Sequence, residues 1–247
     1  MRTSNPAFGE NVLREMSFAD ESTTMTVNGM VTKTVIALAA VVLTAGMTWI
    51  HYQNGGNVMP HLAGGVIIGL IMALTTCFKP AMAPYTTPVY ALAEGCVLGA
   101  ISAITAAQYP QVNIVFQACC LTFGTLFVML IIYQTGVIRV TDRLRAGIAA
   151  ATGAIFLLYL VSFVLGFFGV SIPFIHGSSW MGIGFSLFVV GLAAFNLLLD
   201  FDMVDRMVAQ RAPKAMEWYA AFALMVTLVW LYMEILRLLS KLQGRRE

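Results

Sequence analysis

The sequence predicts an all-α membrane protein, a bundle of seven spanning helices. Three observations predict it. Of 247 residues, 59% are hydrophobic and only 11% are charged, with a mean hydropathy of +0.82. A soluble domain carries about 25% charged residues. The apolar residues fall into seven runs, each near the ~20 residues a bilayer crossing needs. Helix breakers sit between the runs, at Asn54-Gly55-Gly56, Pro80 with Pro84, Tyr109-Pro110, Pro173 and Pro213.

Residues 1–32 are polar and lack the apolar stretch of a signal peptide. They are expected to form a cytoplasmic tail, partly helical around residues 11–18. Residues 33–243 form the membrane domain, and residues 244–247 a C-terminal tail. The expected spans are about 34–51, 62–78, 88–107, 114–133, 146–170, 181–199 and 218–239. Their short connections make consecutive spans antiparallel neighbours. Gly65 with Gly69, Gly95 with Gly99, and Ala146, Ala150 and Ala154 recur at a spacing that lets helix backbones approach closely.

Basic residues give the orientation. Arg2, Arg14 and Lys33 precede span 1, and Lys79 follows span 2. Arg139, Arg143 and Arg145 follow span 4, and Arg206, Arg211 and Lys214 follow span 6. The other three loops hold no Lys or Arg. This alternation puts the N-terminus in the cytoplasm. Lys241, Arg245 and Arg246 then conflict with an outer C-terminus. Either span 7 does not fully cross, or the earlier signals outvote the last three.

The few carboxylates in apolar runs carry the functional signal. They are Glu94, Asp200, Asp202 and Glu234. Charge in hydrocarbon is costly, so such groups face a bundle interior or a wet cavity and mark ion or proton paths. On a helix, positions 202 and 205 share a side, and position 200 points about 200° away from 202. Arg237 lies three residues after Glu234, within reach of an ion pair. By depth the acids form a ladder across the bilayer, which suits a hopping proton or a hard cation such as Ca²⁺. The lipid bilayer and calcium or protons are therefore the expected partners.

His51, His61 and His176 fall on the outer side, where titration would report external pH. The bland alternative is interfacial histidines of no special role. Cys77, Cys96, Cys119 and Cys120 lie in apolar runs without metal spacing, and read as small packing residues. No protease, nucleophile-elbow or phosphate-loop motif is present, so no enzyme and no cofactor is expected. A net charge of +2 gives no case for nucleic acid.

Several strings resemble the Bax inhibitor-1 family, in its bacterial branch. They are Tyr90-Ala-Leu-Ala-Glu-Gly95, the Phe201-Asp202 exit from span 6, Lys214-Ala-Met-Glu-Trp-Tyr-Ala-Ala-Phe222 and Leu228-Val-Trp-Leu-Tyr-Met-Glu-Ile-Leu-Arg-Leu-Leu239. The resemblance covers nearly the whole chain from about Lys33. It implies a bundle with span 7 central and a pH-sensitive Ca²⁺ leak in the bacterial inner membrane. It implies an acid pair between spans 6 and 7 that opens on proton loss, and a basic latch near the end of span 2. Asp202 matches the span 6 acid and Lys79 the latch. On the same reading Asp202 and Glu234 are the calcium ligands. The chain departs at span 7: the usual acidic position falls near Thr227, and Glu234 lies seven residues further. A turn near Gln210 would set Asp202 level with about residue 218. The resemblance also permits a non-transporting regulator that binds another membrane protein, such as a quality-control protease.

Overall fold

Thr26 opens the first helix by accepting a hydrogen bond from the Gly29 N–H at 3.0 Å. The structure, a computed structural model, describes residues 23–169, 177 and 179–245. Within them lie α1 (Val27–Gln53), α2 (Met59–Phe78), α3 (Ala83–Gln108) and α4 (Ile114–Gln134). α5 (Asp142–Phe167), α6 (Trp180–Ala209) and α7 (Met216–Gln243) follow. All seven are long and apolar enough to cross a bilayer, and no strand occurs among the described residues. His176 lies outside the described residues.

Three boundaries differ from expectation. α1 starts at Val27, inside the segment assigned to the tail, because Thr23–Met25 dock on the α6–α7 connection. The Met25 N–H donates to Ala212 O at 2.8 Å, and the Met25 side chain is buried. α3 starts at Ala83 and takes Pro84 into its first turn, where a missing N–H costs nothing. α6 continues ten residues past the expected end at 199, so all three of its aspartates are helical. Arg211, with φ 53°, then turns the chain, and Pro213 follows it.

α7 is the most buried helix of the bundle. It packs against α1, α3, α4 and α6, and α5 reaches it through Tyr159. α2 packs on α3 at the edge, and its outer face exposes Val66, Ile67, Leu70 and Ile71. In lipid, helices associate through close packing and interhelical hydrogen bonds rather than hydrophobicity. Both are present. Ser102 and Tyr232 join α3 to α7 by a 2.6 Å hydrogen bond, and Thr87 donates to Trp218 O at 3.2 Å. Gly95 and Gly99 let α1 lie directly on α3. A Cβ on Gly99 would fall 2.5 Å from Ala45 O, and one on Gly95 only 2.4 Å from Val41 O. Backbone cannot yield there, so Gly99→Val should lower thermal stability by about 1–3 kcal/mol, read by detergent melts. An unchanged melt would refute that close approach.

Cys77 and Cys120 point outward rather than into the core. The basic C-terminus has an internal use. The Lys241 ammonium is buried, donating to Gly182 O at 3.0 Å and Ser186 Oγ at 2.8 Å. Arg245 stacks on Trp180, 3.5 Å from the ring centroid. Two of the three charges that conflicted with an outer C-terminus thus tie the end of α7 to the start of α6.

Candidate functional site

The face that carries the start of α1 is called basal here. From it, α6 and α7 form an antiparallel hairpin whose middle falls between Ala212 and Pro213, not at Gln210. Asp200 lies nine residues before the end of α6, and Thr227 eleven after the start of α7. Both are therefore about 14–17 Å into the bundle from the basal end. Their similar depth across the turn makes them neighbours, and the Thr227 hydroxyl sits beside the Asp200 carboxyl. The same hydroxyl lies 3.3 Å from Ala223 O. Asp200 Oδ2 is buried with no hydrogen-bond partner among the described residues.

Asp202 points away from that site, as helical phasing requires. Arg145 Nη2 donates to its Oδ2 at 2.6 Å and Arg206 Nε at 2.9 Å. Two guanidiniums therefore neutralise the acid that the resemblance favoured. Asp205 shares the same side of α6 and accepts from Tyr133 Oη at 2.5 Å. Asp202 and Asp205 both border a cavity of about 700 Å³ at the basal end.

Lys79 makes no ion pair with Asp202 in this arrangement. It closes α2, is exposed, and makes no ion pair among the described residues. Arg145 and Arg206 occupy the place it was given on Asp202.

Glu234 is 1% exposed and forms a closed network. Arg237 donates to both its oxygens at 2.8 and 3.0 Å, and Tyr159 Oη donates to Oε1 at 2.9 Å. Arg237 also donates to Tyr159 Oη at 2.7 Å. Asp202 and Glu234 meet α5 at Arg145 and Tyr159, fourteen residues or about 21 Å apart. They cannot share one ion, which corrects their reading as joint calcium ligands. Among the described residues no three His, Cys, Asp or Glu side chains gather as a metal site.

Glu94 lies beside Tyr90, one turn earlier on α3. Its carboxyl lies against α2, where a Cβ on Gly69 would come 3.2 Å from Oε1. The four predicted acids thus take four separate settings: Asp202 and Glu234 are held by arginine, Glu94 by a tyrosine, and Asp200 faces the central helix without a cation. The His51 and His61 rings lie 4.9 Å apart at the opposite face.

Sequence reasoning missed Glu217. It is fully buried in the first turn of α7 and ion-paired with Lys33 of α1. Thr26 N–H and Oγ1 donate to its Oε1 at 2.9 and 3.1 Å. Lys33 also lies over the Trp218 ring at 5.9 Å. An acid in a helix's first turn is a recognisable signal. The expected span begins one residue later, at 218, so this acid reads as part of the preceding loop.

No curated protein and no solved structure matches the chain significantly. A family model described as Bax inhibitor 1 like matches residues 5–244. With seven apolar helices, α7 the most buried of them, and a match over nearly its whole length, the chain belongs to the Bax inhibitor 1-like family.

Proposed function

We propose that this multi-pass membrane protein is a pH-sensitive cation leak, calcium being the cation, with Asp200 as the group that titrates. The single observation that carries this reading is the buried carboxyl of Asp200 on α6, facing α7 with one oxygen unpartnered. Such an oxygen is satisfied by a proton in one state and by water or a cation in another. Thr227 adds one further hard oxygen. Ca²⁺ takes six to eight oxygens, so two groups make a place to pass rather than a place to stay.

Protonated Asp200 donates to Thr227 and lets α6 and α7 pack dry. Ionised Asp200 draws water and cations between them. Flux therefore rises with pH. The fixed charges of Asp202 and Glu234 are structural, because arginines neutralise both. The basal face lies in the cytoplasm of a bacterial inner membrane, supported by Lys33, Arg139, Arg145, Arg206 and Lys214 gathered there.

The test is Ca²⁺ flux into proteoliposomes holding the purified chain, between about pH 5 and 8. Wild type should leak more at the alkaline end. Asp200→Asn should flatten the profile, while Glu234→Gln should leave its shape unchanged. No flux at any pH from folded protein would sink the leak and favour a regulator that binds a membrane protease. A flattened profile in Glu234→Gln alone would move the sensor to that residue.

A further inference from the structure

A crevice runs between α1 and α4, both of which pack on α7. Its basal part is the cavity of about 700 Å³ bordered by Asp202 and Asp205. Its upper part is a cavity of about 300 Å³ walled by Val42, Gly46, Cys119, Phe123 and Tyr232, among others. Leu38 lines both, so the two adjoin at that residue. The upper walls are almost wholly apolar, and Val42 and Phe123 remain exposed at the rim. Polar chemistry enters only at the basal mouth, with Arg139, Tyr133 and Asp205.

The charges at that mouth are mismatched to the protein itself. Arg139 and Asp205 border one cavity, yet neither is ion-paired among the described residues. Tyr133 donates to Asp205 Oδ2, which leaves Oδ1 free to accept. An apolar slot within hydrocarbon, ending in one free cation and one free anion, complements a zwitterion with a tail. We propose that the crevice binds a phospholipid with a primary ammonium headgroup, of the phosphatidylethanolamine type. The phosphate sits on Arg139, the ammonium donates to Asp205, and one acyl chain lies between α1 and α4.

The dimensions agree. Val31 lies at the mouth and Val42 in the upper slot, eleven residues or about 17 Å along α1. One leaflet of hydrocarbon is about 15 Å deep. An empty slot there would forfeit dispersion contacts along both walls, and an acyl chain restores them. The proposal is independent of the leak reading, since it does not involve Asp200.

Native mass spectrometry of the full chain in detergent tests it. Phosphatidylethanolamine, phosphatidylcholine and phosphatidylglycerol with identical acyl chains are added separately. The ethanolamine lipid should be retained about tenfold better than the glycerol lipid, the scale of one charge-assisted hydrogen bond. Asp205→Asn, an exposed change, should erase that preference while other lipid binding persists. Val42→Trp/Gly46→Phe should lose all three lipids. A Cβ on Gly46 meets nothing within 4 Å, so the slot has room for the new side chain. Equal retention of the three lipids by wild type would overturn the proposal. So would unchanged retention in the filled variant. A two-chain mass without lipid would instead assign the crevice to a second copy.

Discussion

Glu217→Ala is expected to destabilise the protein by about 3–5 kcal/mol, the cost of breaking a buried ion pair from one side. Glu217 is fully buried, and its carboxylate gathers three donors from α1: Thr26 N–H, Thr26 Oγ1 and Lys33 Nζ. These contacts hold the first turn of α7 against the first two turns of α1. Removing the acid leaves the Thr26 N–H without its acceptor and Lys33 without its counter-charge. The Lys33 side chain is 17% exposed, so it can partly snorkel, which puts the loss near the lower end of that range. Glu217→Gln keeps an acceptor for Thr26 and should lose less. Replacing both charges, Lys33→Met/Glu217→Met, should be milder than Glu217→Ala, because no unpaired charge remains. Thermal unfolding of the four proteins in one detergent measures this. A loss below about 1 kcal/mol in Glu217→Ala would place the pair with weak surface bridges and refute the argument.

The seven spans were legible because their signal is crude: about twenty apolar residues leave little else to do. The end of α6 was not. Asp200, Asp202 and Asp205 within six residues look like a helix leaving the membrane. The helix continues because each charge is met from elsewhere: Asp202 by Arg145, Asp205 by Tyr133, and Asp200 by Thr227. None of those partners is nearby in sequence. The Glu234–Arg237 pair was legible for the opposite reason, since its spacing of three lies on one helix. Lys79 and Arg145 looked alike as basal charges, and only tertiary packing separates them. The Lys33–Glu217 pair joins residues 184 positions apart, beyond the reach of any local pattern.

Thr227→Asp is expected to split the single-step pH response of the proposed leak into two steps. The orphaned Asp200 Oδ2 and the Thr227 hydroxyl sit in one site between α6 and α7. A second carboxyl there would face the first across a hydrogen bond. Two carboxyls in one dry site resist ionising together, so the pair keeps one proton that both share. Losing it places two negative charges between the same helices, and their repulsion adds to the pull of water and cations. The flux profile should then spread over two steps where wild type shows one, with the larger rise at the second. Asp200→Asn/Thr227→Asp retains a single carboxyl and should return to one step. Wild type, Thr227→Asp and the double variant are compared in proteoliposomes, with matched melting temperatures as the check on folding. If Thr227→Asp left both slope and position of the profile unchanged, the α6–α7 site would not be the gate. The pH response would then have to come from Glu94, the remaining membrane carboxylate without an arginine partner among the described residues.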